Sequence, residues 1–289
     1  MVLTLCVGSL LLGCIYGLIA LGYSIIYRAS GLMNFAQGEL FMLGSFVALT
    51  FYKYCNLPFF VSFILTIIVM FFAGMLLERT MIRKILKRSN GEFIVLATIA
   101  LSIFFKNLAM LIWGSSRVDF PKIFQAESVS VSGISIQWEQ IMVVVVAFVS
   151  MAVLQFFMNH TSLGTAMRSA AQDPLAARAC GIDTSLTTGI TWGISAAISA
   201  IGGMLYGPVY GVAMNIGATT GIRGFSAAVI GGYGNMYGAI VGGLLLAFVE
   251  TFAAGYIGSA YKDFVAFAVL MIFMFFKPTG IFNERAIED

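Results

Sequence analysis

The N-terminal stretch decides the fold of this chain, and over residues 1–27 it reads MVLTLCVGSLLLGCIYGLIALGYSIIY. It carries no charged residue, and it exceeds the roughly 20 residues that an α-helix needs to cross the hydrocarbon core of a membrane. Four further charge-free runs meet the same length criterion, at residues 57–77, 140–159, 184–222 and 224–249. The chain is therefore predicted to be an integral membrane protein.

Composition supports the same conclusion, because 60% of the residues are hydrophobic and only 10% are charged, against roughly 25% charged residues in soluble domains. Only helices and closed barrels satisfy every backbone group inside a bilayer. Barrel strands alternate in short segments, whereas these runs do not alternate. Weaker apolar segments at 31–52, 93–113 and 263–277 complete the set. The predicted fold class is an all-α integral membrane protein, a polytopic bundle of about eight transmembrane helices.

The loops between the apolar segments predict the topology. Residues 79–92 form a basic loop, and positive charge in short loops marks the cytoplasmic side. Its basic residues are Arg79, Arg83, Lys84, Lys87 and Arg88. Counting helices from this loop places the N-terminus outside, residues 114–138 outside and residues 159–185 in the cytoplasm. The external loop contains VSVSGISI, which alternates around Gly133 and predicts a short β-hairpin.

The stretch after residue 207 leaves two interpretations open. Residues 186–206 fit one helix, but Pro208 and many glycines interrupt the sequence up to about Gly232. This part is either a full crossing or a broken, re-entrant helix, which is tolerated only where protein or a water-filled cavity surrounds it. A full crossing puts the C-terminus in the cytoplasm, and a re-entrant helix puts it outside.

Glycines recur four residues apart, as in Gly13/Gly17 and Gly217/Gly221. This spacing lets helix backbones approach closely in a membrane. We interpret the pattern as tight packing within one bundle, with sliding surfaces for alternating access as the alternative.

The sequence lacks the signatures of an enzyme. It has a single histidine, His160, and its four cysteines have no metal-ligand spacing. No Gly-Lys pair is present, so there is no Walker A phosphate loop, and there is no GxSxG motif. We therefore predict no catalytic residue, cofactor or metal site in this chain, and any use of ATP must come from another chain. The few basic residues do not indicate a nucleic-acid partner; the surrounding partner is membrane lipid.

A small set of polar residues provides candidates for a translocation path. An ionisable residue within a membrane segment is by default a hypothesis for a functional site. Asn34 and Gln37 are three positions apart and are expected to share a helix face, with Glu39 close behind. These residues either line the path or form helix-turn structure, in which Arg28 and Glu39 lie near a helix end or pair with each other. Glu250 either lines the path, pairs internally or snorkels to the interface.

The polar segment at 159–185 is rich in alanine, which favours helix. It contains Leu175-Ala-Ala-Arg-Ala-Cys-Gly181, in which Ala176 and Ala177 precede Gly181 by a fixed spacing. Gly181 is expected to end a short helix as an αL cap. A surface helix of small residues suits insertion into a groove on a partner protein.

Three segments together resemble the branched-chain amino acid ABC importer permeases, and in particular the shorter of the two permease subunits. They are GLMNFAQGE at 31–39, AAQDPLAARACGID at 170–183 and KPTGIF at 277–282. The glycine-rich run at 224–235 also matches, so the similarity extends over nearly the whole chain. Permeases of ABC importers carry a Glu-Ala-Ala, three residues, Gly pattern in the loop that docks the ATPase. Here Leu175 stands in place of the glutamate.

The resemblance implies a single transmembrane permease domain over residues 1–289 in the bacterial inner membrane. It implies a second, larger permease subunit, two ATP-binding subunits and an external substrate-binding protein. Half of the path would come from this chain, loop 114–138 would meet the binding protein, and residues 165–183 would contact an ATPase. The coupling residues would be Asp173, Pro174, Ala176, Ala177, Arg178 and Gly181. The family also includes importers of urea, short amides and aromatic acids, and a stand-alone secondary transporter is the competing class.

Overall fold

The computed structural model describes residues 2–86, 92–124, 129–131 and 134–282. These residues form twelve α-helices and one two-stranded antiparallel sheet. In chain order the helices are α1 (Val2–Ser30), α2 (Gln37–Leu49), α3 (Phe59–Leu77), α4 (Arg83–Leu86), α5 (Glu92–Trp113), α6 (Trp138–His160), α7 (Ser162–Gln172), α8 (Pro174–Ala179), α9 (Thr184–Tyr210), α10 (Ile216–Gly231), α11 (Met236–Tyr256) and α12 (Lys262–Phe276). The strands are β1 (Val129–Val131) and β2 (Ile134–Ile136).

Seven helical segments of the described chain are long and apolar enough to cross a membrane. They are Val2–Ser30, Phe59–Leu86, Phe93–Trp113, Trp138–His160, Thr184–Tyr210, Met236–Tyr256 and Ser259–Phe276. The prediction of an all-α polytopic membrane protein is confirmed.

Two of the predicted segments are shorter helices in the structure, and non-helical backbone precedes each of them. The segment predicted at 31–52 begins as a helix only at Gln37, and α2 continues through a π-helical turn at Thr50–Tyr54. The glycine-rich stretch after Pro208 contains α10, with 16 residues. Positive φ angles at Gly31 (65°) and Gly211 (74°) end the preceding helices in both cases. Only glycine adopts this conformation without a steric penalty.

The two ends of the bundle carry different chemistry. We call the end with Arg79, Arg83 and Lys84 the basic end, and the end with β1 and β2 the hairpin end; Lys87 and Arg88 lie outside the described residues. Helices α1, α3 and α6 run towards the basic end, and α5 and α9 run towards the hairpin end. The predicted hairpin is present, with Ser130 paired to Ser135, although Gly133 itself lies outside the described residues.

Helices α1 and α9 form the centre of the bundle. Within α9, 83% of the apolar window is buried, against 6% in the last spanning helix, so α9 is central and α12 is peripheral. Helix α1 packs against α9, α10 and α11. A methyl group on Gly13 would lie 2.9 Å from Leu244 Cα, and one on Gly243 would meet the backbone of Gly17. The interpretation of the glycine spacing as tight packing is confirmed at this contact.

The chain crosses the bundle completely between residues 211 and 235. At the hairpin end, the amide of Val212 donates to Val118 O at 3.0 Å. At the basic end, Tyr233 packs edge-on against Tyr27, which lies near the end of α1. The tail returns to this turn, because the amides of Ile281 and Phe282 donate to backbone carbonyls at the end of α10, each at 3.0 Å. Of the two interpretations left open, the full crossing is correct, and residues up to 282 end at the basic end.

Candidate functional site

The break between α1 and α2 brings polar groups into the middle of the bundle. Asn34 precedes the helix, and its side-chain oxygen accepts a hydrogen bond from the amide of Ala36 at 3.1 Å. Its side-chain nitrogen donates to Gln37 Oε1 at 3.0 Å. Asn34 and Gln37 were expected to share a helix face, and this expectation is wrong because the helix starts at Gln37. Their contact is made across a turn.

Gln37 connects the start of α2 to the central helices. Its side-chain nitrogen donates to Ser195 Oγ at 2.8 Å and to Ser199 Oγ at 2.5 Å. Ser195 in turn donates to Gly22 O of α1 at 2.8 Å. Ser195 and Ser199 lie half-way along α9, and Gln37 is fully buried. The N-terminus of α2 therefore lies at mid-depth in the bundle, where an unpaired amide would be costly.

Glu39 lies at the same depth, with only 2% of its surface exposed. One carboxylate oxygen accepts a hydrogen bond from Ser102, half-way along α5, at 3.4 Å. The other oxygen, Oε2, is buried and has no hydrogen-bond partner among the described residues. It lies against the place where a side chain on Gly217 would be. A buried carboxylate with a free oxygen is unusual in a folded protein.

The second break, between α9 and α10, repeats features of the first. Each break starts at a glycine of positive φ, passes through a Met-Asn pair and enters a helix. The two pairs are Met33-Asn34 and Met214-Asn215. The Gly38 backbone packs directly on Gly217 and Gly221. The N-termini of α2 and α10 thus meet at mid-depth, and each half-helix continues to a different end of the bundle.

The sequence did not predict this meeting of helix ends. No internal repeat is evident in the sequence, and the two glycine-rich starts are almost 180 residues apart. One signal was available in the sequence, because a Met-Asn pair occurs shortly before a glycine at both places. Asn34 lies four residues before Gly38, and Asn215 lies six residues before Gly221. A pair of glycine-interrupted apolar segments is the pattern by which transporter folds mark a binding site.

Glu250 lies apart from this centre, in an ionic cluster between α10, α11 and α12. It is fully buried, and its Oε1 lies 3.1 Å from Arg223 Nε and 2.9 Å from Lys262 Nζ. Tyr16 donates a hydrogen bond to the same oxygen at 3.3 Å. Arg223 also pairs with Asp263, which is exposed. Of the alternatives open for Glu250, internal pairing describes this geometry, and its placement along a path stays a prediction.

The segment with the predicted coupling residues forms two short helices, α7 and α8, at the basic end. Asp173 caps α8 by accepting hydrogen bonds from the amides of Leu175 and Ala176 at 2.8 and 3.0 Å. Pro174 occupies the first turn, where a proline fits a helix. Gly181 follows α8 with φ of 82°, as expected for an αL cap.

The exposed surface of α8 is small and mostly apolar. Ala177 is buried against the bundle, whereas Ala176 is exposed. Arg178 is exposed and donates through Nε to Thr184 Oγ1 at 2.8 Å, which holds α8 against the start of α9. Leu175 is 75% exposed. The exposed leucine therefore lies on a helix whose start is fixed by the Asp173 cap.

A cleft of about 460 Å³ lies beside this segment, between the end of α3 and the start of α9. Glu78 and Arg83 form a bidentate pair on its wall, at 3.0 and 2.5 Å. Arg83 also donates to Ser185 O at 2.8 Å. The pair therefore ties the end of α3 to the first turn of α9, immediately after α8.

Comparison with known proteins agrees with this architecture. Residues 5–274 match the model of the family described as "Branched-chain amino acid transport system / permease component". The chain belongs to this family. It is a multi-pass transport permease of the ABC class, located in the bacterial inner membrane.

Individual relatives match over almost their full lengths. The branched-chain amino acid permease protein BraD of Pseudomonas aeruginosa is 36% identical over 295 residues, covering 98% of this chain and 96% of the relative. LivH of Salmonella typhimurium is 34% identical, covering 96% and 94%. LivH of Methanocaldococcus jannaschii, named a probable permease, is 24% identical, covering 95% and 90%.

One solved structure has a similar fold, a chain of PsaBC from Streptococcus pneumoniae in complex with Fab. The TM-score is 0.52 at 10% sequence identity, with 94% of this chain and 91% of that chain covered. At this identity the likeness concerns the fold alone.

Proposed function

We propose that this chain is the shorter transmembrane subunit of an ATP-driven, binding-protein-dependent importer of branched-chain or related amino acids. It forms half of the translocation path beside a second, larger permease subunit. Two ATP-binding subunits dock at the basic end, which is cytoplasmic, and an external binding protein delivers substrate at the hairpin end. The chain itself carries no catalytic residue.

The observation that carries this proposal is the pair of half-helices that meet at mid-depth. Discontinuous helices whose N-termini meet near the middle of the membrane are typical of substrate sites in secondary transporters, so this geometry supports a transport role, and the family of the chain favours the ATP-driven class. In this chain Glu39 and the Asn34–Gln37 pair lie at that meeting point. Path lining by Asn34, Gln37, Glu39 and Glu250 is part of the proposal; the first three have the stronger support, because Glu250 is already held by Arg223 and Lys262.

The second support is the geometry of α8. Asp173 and Gly181 fix the two ends of this helix, so its exposed face has one orientation. Leu175 supplies an apolar contact at the position where the general docking pattern of ABC importer permeases carries a glutamate. We therefore propose that the ATPase surface meeting Leu175 is an apolar groove rather than a basic one.

The docking proposal is tested by replacing Gly181 with tryptophan. A Cβ atom added at Gly181 would meet no atom of the described residues within 4 Å, and Gly114 has the same φ of 82° and equally open surroundings. Gly114→Trp at the hairpin end is therefore a matched control for backbone strain. We expect G181W, and not G114W, to lose co-purification of the ATPase and substrate-stimulated ATP hydrolysis.

Two results would contradict the proposal. Equal ATPase retention by G181W and G114W would place docking elsewhere. Amino-acid uptake by the chain alone in liposomes, driven by a proton or sodium gradient, would identify a stand-alone secondary transporter instead. Uptake of urea or a short amide, in place of leucine, by the assembled system would change the substrate while leaving the transport mechanism in place.

A further inference from the structure

The first turn of α10 offers backbone amides at the centre of the bundle. Asn215 precedes the helix but does not cap it with its side chain. Within the described residues, the amides of Gly217 and Ala218 have no hydrogen-bond acceptor. Amides at the start of a helix, together with the helix dipole, form a binding site for an anionic group. Ala218 is exposed, so the turn is accessible from one side.

Glu39 supplies the opposite charge next to these amides. Its Oε2 is buried, has no hydrogen-bond partner in the described part of the chain and faces Gly217. Ser102 donates a hydrogen bond to the other oxygen, Oε1. The free oxygen has a lone pair available for a cationic donor, and a charge-assisted hydrogen bond is about twice as strong as a neutral one.

Lys106 adds a cation one helical turn beyond Ser102 on α5. It is half-buried, and its position four residues after Ser102 places it on the same face of α5 as the serine that binds Glu39. Within the described residues it forms no ion pair closer than 4 Å. An unpaired lysine at this depth in a membrane bundle marks a substrate path more often than a lipid-facing surface.

The surface next to these groups is mixed in character. Phe35 is 36% exposed and Ile222 is 50% exposed. Thr219 and Asn215, on the same helix start, are exposed polar residues. Polar side chains at this depth indicate a cavity or a protein partner rather than lipid, and the two apolar side chains would contact an apolar substrate group.

We propose that the centre of the bundle is a site for a zwitterionic α-amino acid with an apolar side chain. The substrate ammonium binds Glu39 Oε2, and the substrate carboxylate binds the amides of Gly217 and Ala218, with Lys106 nearby. Phe35 and Ile222 contact the side chain. The inference rests on the proposed transport function and adds which groups of the substrate this permease recognises.

The site discriminates by both charges of the substrate. A molecule lacking the ammonium leaves the Glu39 oxygen unpaired in a buried place, and a molecule lacking the carboxylate leaves the helix amides unpaired. Unpaired buried polar groups reject an analogue strongly, whereas an additional methylene is tolerated. Urea and short amides carry neither charge, so this permease passes them poorly.

The test is saturation-transfer NMR on the full chain in lipid nanodiscs, without binding protein. The probes are L-leucine, 4-methylpentanoate, which lacks the ammonium, and 3-methylbutan-1-amine, which lacks the carboxylate. We expect leucine to bind the wild-type chain at least about tenfold more tightly than either analogue. In Glu39→Gln, leucine and 4-methylpentanoate become equal within about twofold.

Two variants keep the test decisive. Lys106→Gln, at a half-buried position, should weaken the binding of leucine and of 4-methylpentanoate equally and leave the binding of the amine unchanged. If Glu39→Gln does not fold, the result for Lys106→Gln decides whether the site exists. Glu139→Gln is the control, because Glu139 is a buried carboxylate at the hairpin end whose oxygen accepts from an amide, and glutamine also accepts. Its binding profile stays that of wild type.

The outcomes separate this inference from the transport function. Equal binding of leucine and 4-methylpentanoate to the wild-type chain, or an unchanged preference in Glu39→Gln, overturns the zwitterion site. ATP-driven leucine uptake by cells carrying the complete system is measured in parallel. Uptake that persists unchanged in Glu39→Gln overturns the site while the transport function stands, and ammonium-dependent binding without any ATP-driven uptake overturns the transport function alone.

Discussion

Breaking the ionic cluster around Glu250 should lower the free energy of unfolding by several kcal/mol, although the substitution changes only one side chain. Glu250→Gln removes the one acid that holds Arg223 and Lys262 together, at 3.1 and 2.9 Å. Arg223 keeps Asp263 as a partner, but that carboxylate is 67% exposed and screened by solvent. Lys262 then has no acid within 4 Å among residues 2–86, 92–124, 129–131 and 134–282. The variant therefore leaves two cations at the junction of three helices.

The magnitude follows from burial. Removing one partner of a buried ion pair costs about 3–5 kcal/mol in free energy of unfolding. The arginine and lysine side chains remain 18% and 30% exposed, so solvent reduces the penalty, and we expect about 3 kcal/mol for Glu250→Gln. For Arg223→Met we expect about 2 kcal/mol, because Glu250 retains Lys262 and the Tyr16 hydroxyl. The double variant costs about 1–2 kcal/mol less than the sum, because the two sites share partners.

The assay is reversible unfolding in mixed micelles, followed by tryptophan fluorescence and circular dichroism. Asp263→Asn is the control, since an exposed ion pair contributes at most about 1 kcal/mol. An additive double variant would refute the coupling between Arg223 and Glu250. A Glu250→Gln variant within about 1 kcal/mol of wild type would refute the assignment of the cluster as a structural clamp.

Three further changes have defined outcomes. Asp173→Ala removes the cap of α8 and should raise hydrogen exchange of its amides about fivefold, for a loss of about 1 kcal/mol. Gly243→Leu places a side chain against the Gly17 backbone and should lower the unfolding free energy by about 3 kcal/mol in the micelle assay. Arg83→Gln leaves the buried Glu78 without its ion-pair partner and should at least halve substrate-stimulated ATP hydrolysis by the assembled system, while expression is retained.

Each of these predictions has a control in the same region. Asp173→Asn keeps a side-chain oxygen that caps, so exchange should stay near wild type. Gly8→Ala meets only Thr251 Cγ2 at 3.8 Å, an ordinary contact, so stability should be unchanged. Lys84→Gln removes an exposed cation from the same segment as Arg83. If a variant and its control had equal effects, the stated contact would not be the cause of the result, and the prediction would be wrong.

Much of the fold follows from local patterns. A charge-free run longer than a membrane thickness has one stable form, which is why the spans at 57–77 and 140–159 correspond to α3 and α6. The alternation at 129–136 gave the hairpin for an equally local reason. The start of α2 was misplaced because composition cannot show that Gly31 adopts a positive φ and ends α1 with a turn.

The candidate site depended on contacts that no local pattern contains. Gln37 and Glu39 could be singled out as polar residues in an apolar segment, but the partners of Gln37 are about 160 residues away on α9. Glu250 was selected in the same way, and its pairing with Arg223 decides its environment. Sequence periodicity specifies which face of a helix is apolar; it does not specify which other helix lies against that face.

The C-terminal tail has a consequence for the order in which this protein folds. Its amides at Ile281 and Phe282 close the turn after α10, and Gly280 fits against Gly232 with no room for a side chain. These residues leave the ribosome after helices α1 to α12 have been made. The C-terminal end of α10 therefore lacks these hydrogen bonds during synthesis. A truncation or a bulky tag placed immediately after residue 276 should give a chain that inserts into the membrane but does not pack the end of α10 correctly.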